Sequence, residues 1–249
     1  MYSHRSTHGP VDLAFTDRYG GVSAVPYDSL NLALEGGDDP AATTTNLARV
    51  LADFAPGAGL ADLHQVHGAV VDVVEDTTGR SRPDADGLVT TRPDVVLMVR
   101  AADCVPVLLA DPAAGVIAAA HAGRPGLAAG VAPATAAAMR ERGAADITAW
   151  IGPHVCGGCY EVPADMRDEV AALVPAAGAT TTWGTPALDI GAGVRAQLEE
   201  AGVTVVDVSR CTRESDDLYS YRRDGAGAGR LAGLIRLHGA SGDAARERR

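Results

Sequence analysis

Two apolar runs near the middle of the chain constrain its fold more than any other feature. Residues 95–111 read VVLMVRAADCVPVLLAD, and residues 113–123 read AAGVIAAAHAG. Their apolar character is continuous rather than alternating, which fits strands covered on both faces better than a half-exposed hairpin. They read as two buried strands joined through Asp111-Pro112 and Gly115. Each run is broken by a side chain with chemistry of its own, Cys104 in the first and His121 in the second. A purely structural strand of alanines has little use for an imidazole, whose ring nitrogens need partners once buried.

The remaining chain supplies material to cover those strands. VDLAFTDRYGGVS reads as a short strand entering a glycine turn, and SLNLALEGGDDP as another strand or extended stretch. Pro40 opens a helix over AATTTNLARVLADF. LADLHQVHG and AVVDVVED read as strands flanking a turn at Gly68, and TTGRSRPDADG as a loop ending at Asp84 and Asp86. GVAPATAAAMRERG, with Pro133 in its first turn and Gly143 at its end, reads as a helix followed by the strand DITAWIG. ADMRDEVAALV and LDIGAGVRAQLEEAG read as two more helices, the second capped by Gly202, and VTVVDVSRC as a strand ending at Cys211. SYRRDGAGAGRLAGLIRL then closes the domain. Repeated strand–loop–helix units without a linker predict one α/β or α+β domain over residues 1–238, with 239–249 a disordered tail.

Composition narrows the function classes. Aromatic residues make up 4% of the 249, so Ala, Val and Leu must fill most of the interior. The formal net charge of −11 disfavours a nucleic-acid partner, which would need a basic footprint. Four cysteines in a chain of this length do not suggest a disulfide scaffold. No apolar signal segment and no run near the ~20 residues of a membrane helix is found. A cytoplasmic enzyme, monomeric or weakly homo-oligomeric, is the expectation. No GxxxxGK[ST] loop or dinucleotide fingerprint supports ATP hydrolysis or NAD use.

His67 in LHQVHG, Cys104 and His121 are the candidate metal ligands. One thiolate and two neutral imidazoles match catalytic zinc, with a fourth position left for substrate or water. The bland alternative is an inert thiol and two histidines satisfied at strand ends. His64, three residues before His67, would face the opposite side of a strand and so be a supporting or surface residue. Asp103 is a candidate for proton handling, for orienting a ligand, or for anchoring a loop. Arg18, Arg100, Arg124, Arg222, Arg223 and Arg230 lie beside glycine turns or candidate ligands, and guanidinium forks suit phosphate oxygens. Surface ion pairing is their bland alternative. His154, Cys156 and Cys159 form a second cluster, with Cys211 far downstream, and its cysteines read as buried small thiols or a redox-labile turn in preference to a second metal site.

FTDRYGGVS, PYDSLNLA, HQVHG, DADGLVT, ADCVPVLLAD, HAG, IGPHVCGGCYEV, LDI and SYRRDG occur in order through nearly the whole chain. Together they resemble the bacterial laccase-domain family, also described as multicopper polyphenol oxidases or purine nucleoside phosphorylases. The resemblance implies a layered fold of mixed sheets covered by helices, grouped with toxin-like cysteine hydrolases. It implies zinc on His67, Cys104 and His121; Cys104, His121 and Asp103 are the candidate catalytic residues. It also implies phosphorolysis of adenosine, inosine and methylthioadenosine by inorganic phosphate, with adenosine deamination as a second reaction. Arg18, Tyr160, Arg222 and Arg223 fall on the family pattern. The pattern carries Trp-Arg after His-Ala-Gly, whereas this chain has Arg124-Pro125-Gly126, an arginine shifted by one position. Three rivals remain: a metal-free hydrolase with Cys104 as nucleophile and His121 as base, a copper oxidase, and a silent nucleoside-binding protein.

Overall fold

Alternate residues of the central strands point to different neighbours, and this alternation builds the molecule. The computed structural model describes residues 1–238; the expected tail at 239–249 lies outside them. In chain order the first half comprises β1 (Tyr2–His8), β2 (Val11–Thr16), α1 (Pro40–Phe54), β3 (Gly59–Ala61), β4 (Val71–Val73), β5 (Gly87–Thr90), β6 (Val95–Ala101), β7 (Val105–Asp111) and β8 (Val116–Ala122). The second half adds α2 (Arg124–Ala129), α3 (Val131–Arg140), β9 (Thr148–Ile151), α4 (Ala164–Leu173), β10 (Gly178–Thr180), β11 (Pro186–Leu188), α5 (Ile190–Glu200), β12 (Thr204–Asp207), α6 (Tyr221–Asp224) and β13 (Leu231–Leu237).

The strands form a five-stranded sheet, β1-β2-β13-β6-β3, and a six-stranded sheet, β12-β9-β7-β8-β5-β4, with β10 and β11 as a small hairpin. Both large sheets mix parallel and antiparallel pairs. Leu97 and Val99 of β6 meet Leu108 of β7, Ile117 of β8 and Trp150 of β9 in the core between the sheets. On the outer face of the six-stranded sheet, Val107, Leu109 and Ala118 pack under Leu127, Val131, Met139, Val194 and Leu198 from α2, α3 and α5. On the outer face of the five-stranded sheet, Val96, Met98 and Leu234 pack under Val50 and Phe54 of α1. The result is a four-layer α+β unit, helix–sheet–sheet–helix, and it explains why the central strands are apolar on both faces.

The first apolar run is not one strand. It breaks at Ala102-Asp103-Cys104, and its halves β6 and β7 belong to different sheets. Asp103 takes a left-handed conformation (φ 84°) at the crossing, so a sheet switch sits beside the candidate cysteine. Three buried strands therefore replace the expected two. The strands expected around Gly68 shrink to the three-residue β3 and β4, and His67 lies off both in a left-handed turn (φ 60°). No strand forms over SLNLALEGGDDP. β1 is absent from the sequence expectation because its YSHRSTH is an edge strand with no fully buried residue. α1 follows the expectation: the Asp39 side chain accepts from the Ala41 N–H and Pro40 occupies the first turn.

Candidate metal centre

The sheet switch and the β7–β8 register bring two of the three candidate ligands together. Pro106 pairs with His121 and Val105 with Ala122, so Cys104, just before β7, comes alongside the Gly123 end of β8. His67 arrives from the turn before β4. Cys104 Sγ lies 3.7 Å from His67 Nε2. The His67 and His121 rings meet edge to face with centroids 4.9 Å apart. One donor atom from each of His67, Cys104 and His121 lies within 4.8 Å of the others. This closeness depends on Gly123: a Cβ there would stand 2.5 Å from the His67 ring and 3.1 Å from Cys104 Sγ. The glycine of the HAG motif is thus the space into which two ligands lean.

Asp86, at the end of the loop over TTGRSRPDADG, organises the site. It is fully buried. His121 Nδ1 donates to its Oδ1 at 2.9 Å. Its Oδ2 accepts the backbone N–H groups of Val66 and Gly68, at 3.2 and 2.6 Å, on either side of His67. One carboxylate therefore aims the His121 ring, leaving Nε2 for the centre, and clamps the turn presenting His67. The missed signal was DADG itself, a carboxylate entering an apolar strand. Desolvation alone would raise the Asp86 carboxyl, but the His121 and backbone donors outweigh it and hold it below the ordinary carboxylate range.

Burial likewise works against the Cys104 thiolate, yet the adjoining His121 and His67 bring the thiol down to about 6. Burial works against the His121 imidazolium, and Cys104 and Asp86 overcome it, raising the group to about 9. Each group thus favours the charged form of the other, thiolate beside imidazolium. A metal entering at neutral pH would displace the His121 proton.

Three ligands open onto a cavity of about 590 Å³, within the size range of small-molecule sites. Its lining includes His64, Arg82, Arg100, Asp103, Tyr160, Tyr221, Arg222 and Arg230. Arg82 pairs with Glu35 at 3.3 Å. Among the described residues, Arg222 and Arg230 have no carboxylate partner: Arg222 donates to the Glu161 carbonyl and stacks 4.3 Å over Tyr160, and Arg230 donates to the carbonyls of Ala228 and Gly229. Arg100 is buried and donates to Leu32 O and Asp62, but its Nη2 has no partner among the described residues. His64 stays exposed with Nδ1 2.7 Å from Asp84 Oδ1 and is not among the ligands that converge.

Other candidates stand away from the cavity. Arg18 donates to Asp28 and lies 4.8 Å over the Tyr219 ring. Arg124 opens α2, and the shifted arginine of HAGRPG is not part of the cavity wall. Arg223 gathers the carbonyls of Thr212, Ser215 and Leu218 and pairs with Asp224. Asp103 reaches the cavity wall, but both carboxylate oxygens are taken: Oδ1 accepts from Thr212 Oγ1 and Oδ2 from the Arg222 N–H, each at 2.6 Å.

The family whose members are described as "Multi-copper polyphenol oxidoreductase laccase" matches residues 12–238. The chain belongs to this family. It is 56% identical to a purine nucleoside phosphorylase of Streptomyces coelicolor over 244 residues, covering 95% of this chain and all of that one. A purine nucleoside phosphorylase of Deinococcus radiodurans is 42% identical, with 96% of each chain covered. Among solved structures, protein NMB0706 of Neisseria meningitidis superposes with a TM-score of 0.84 at 36% identity, covering 95% of this chain and 99% of that one. YlmD from Geobacillus stearothermophilus gives 0.83 at 32%, covering 92% and 93%. The shared fold thus extends over the whole four-layer unit of this laccase-domain protein. None of its described helices is long and apolar enough to cross a membrane.

Proposed function

We propose that this laccase-domain protein is a zinc-dependent purine nucleoside phosphorylase acting on adenosine, inosine and methylthioadenosine, with adenosine deamination as a second reaction. The observation that carries the reading is one cavity shared by a His₂Cys ligand set and two arginines free of carboxylate partners. The phosphorylase names of its relatives support the same direction.

The donor set suits zinc: one sulfur and two imidazoles within 4.8 Å, a carboxylate behind one imidazole, and an open side toward the cavity. His67, Cys104 and His121 would hold the zinc, which would supply Lewis acidity at the cavity. Arg222 and Arg230 hold phosphate as cations without carboxylate partners. Tyr160, stacked on Arg222, and Tyr221 offer ring faces to the purine. A phosphate oxygen forms the new bond to C1′ while the bond from C1′ to the purine nitrogen breaks. The purine leaves with that electron pair and takes up a proton. Asp103 acts as a positioning residue, because its carboxylate holds the Arg222 backbone at the wall.

Adenosine incubated with the zinc-loaded protein and phosphate should give free adenine and ribose 1-phosphate. Without phosphate, adenine should disappear from the products while inosine and ammonia persist. Neither adenine nor ammonia under either condition would overturn the proposal and leave a silent binding protein.

A second reading has one observation in its favour. Cys104, His121 and Asp86 stand in the order nucleophile, base and orienting carboxylate, as in a cysteine hydrolase. In metal-free protein, alkylation of Cys104 by iodoacetamide should therefore rise with pH through about 6, well below an ordinary thiol. Zinc should suppress it. Ester hydrolysis that survives complete metal removal would favour the hydrolase reading.

A further inference from the structure

A second group of soft ligands lies on the far side of Asp103, where the reaction has no use for it. The CGGC segment folds into a tight turn in which the N–H groups of Cys159 and Tyr160 both donate to Cys156 O, at 2.9 and 3.0 Å. The two sulfurs of that turn lie within 4.8 Å of each other. Opposite them, the segment after β12 is fastened alongside by a parallel bridge between His154 and Cys211. This brings in Cys211 and, three residues later, Glu214. One donor atom from each of Cys156, Cys159, Cys211 and Glu214 lies within 4.8 Å of the others. His154, grouped with these cysteines by sequence, turns away and donates through Nδ1 to Gly152 O.

We propose that Cys156, Cys159, Cys211 and Glu214 form a second, structural metal site that takes a zinc-like divalent cation and fixes the cavity wall carrying Tyr160 and Arg222. Two chelating pairs, C-x₂-C and C-x₂-E, converge from segments far apart in sequence. Zinc–sulfur bonds of about 2.3 Å place tetrahedral ligands roughly 3.8 Å apart, and the cluster already has that scale. Three thiolates and one carboxylate make a closed set, unlike the open set at His67, Cys104 and His121.

The surroundings support ligation more than a disulfide. All four cysteines are free thiols. A disulfide would use two sulfurs and leave the third and Glu214 without a role. The Cys156 N–H points at Cys211 Sγ at 3.5 Å, an arrangement that stabilises a metal-bound thiolate. Cys159 Sγ lies 3.3 Å from Glu214 Oε1. The turn is also fixed by its glycines: a Cβ on Gly157 would stand 2.8 Å from Asp189, the N-cap of α5. The ligands are therefore held before any cation arrives.

The consequence for the cavity follows from neighbours in sequence. Tyr160 adjoins Cys159, and Arg213, beside Glu214, donates to Cys159 O at 3.2 Å. Thr212 adjoins Cys211 and donates to Asp103, which also accepts the Arg222 N–H. A cation joining Cys159 to Cys211 would tie together the strands of chain that carry Tyr160 and Arg222.

Untagged protein isolated under reducing conditions should contain two zinc equivalents per chain by mass spectrometry of the metal. Cys104→Ala should retain one equivalent, and Cys211→Ser should retain the other. Each centre is removed in turn, so failure of one is distinguishable from failure of the other. Glu214→Gln alters an exposed side chain and tests the site without emptying a core position; it should weaken retention of the second equivalent against a chelator at least tenfold. Cobalt(II) added to metal-free Cys104→Ala should give a thiolate charge-transfer band, absent when Cys211→Ser is added. A metal-free Cys104→Ala that binds no cobalt, or a native Cys156–Cys211 or Cys156–Cys159 disulfide found by peptide mapping, would overturn the proposal.

Discussion

Cys104→Ala is expected to lower phosphorolysis and adenosine deamination together by about a thousandfold or more, with the fold intact. The sulfur is the only anionic donor among three ligands. Its removal leaves two imidazoles whose approach is set by Asp86 and the turn at His67. A Lewis acid worth several kcal/mol of charge stabilisation then goes missing, and each ~1.4 kcal/mol is a factor of ten in rate. The structural cost is much smaller. Cys104 stands outside β7 at a half-buried position on the cavity floor, so the change removes one atom from a solvent-accessible wall. Circular dichroism of the metal-free variant should match that of metal-free parent, with a melting temperature lowered by loss of the Cys104–His121 contact, while phosphorolysis measured by base release is lost. More than a tenth of parental activity in a variant lacking metal at His67 and His121 would end the metal reading.

Copper oxidation of polyphenols requires several histidine-rich centres, and five of the seven histidines are otherwise committed. His4 contacts Ser6, His8 packs on Trp150, His64 faces Asp84, His154 donates to Gly152 and His238 contacts Asp12. Among the described residues, only His67 and His121 of the histidines belong to a group of three or more converging metal donors. The laccase description of the family therefore does not carry a multicopper donor set into this chain.

Apolar periodicity and turn residues made the helices α1, α3 and α5 legible in the sequence, and α4 was legible from its helix-forming residues although it buries only Val170. The same logic misread the first central run. An apolar stretch of that length satisfies one long strand or two short ones equally, and nothing local says that residues 102–104 cross from one sheet to the other. β13 lies between β2 and β6 in the sheet but carries Gly233 and Arg236, which dilute the strand signal. The three ligands were visible because a thiol and an imidazole are out of place in runs of alanine and valine. Asp86 and Glu214 were not, since a carboxylate at a loop end resembles any solvated acid until its partners are known. The arginines show the same limit: position beside a glycine turn does not distinguish Arg222 in the cavity wall from Arg223, which faces a set of carbonyls.

Asp86→Ala should cost the folded protein roughly 3–5 kcal/mol and weaken zinc retention by about 10–100-fold. The carboxylate is fully buried and answers three donors: His121 Nδ1 and the Val66 and Gly68 N–H groups. Alanine leaves all three without partners in a dry interior, and the turn holding His67 loses the carboxylate that clamps it on either side, keeping the Gln65 side chain's bonds to the Arg100 backbone. Asp86→Asn separates charge from shape. It keeps the volume, but the amide offers one acceptor oxygen where two are needed and sets an N–H₂ against a donor. His121 must then expose a nitrogen lone pair to that amide, which places the remaining ring proton toward the metal and disfavours ligation. Asn should therefore lose more metal affinity than stability, whereas Ala loses both. The pH dependence has a definite sign. The folded-state pKa of Asp86 is depressed, so its contribution is present above the ordinary carboxylate range and disappears as pH falls through the folded value. Chemical denaturation of metal-free parent and Asn variant should show their stability difference shrinking on acidification below about pH 4. A constant difference down to pH 2, or zinc affinity equal to the parent in either variant, would show that Asp86 does not orient the ligands.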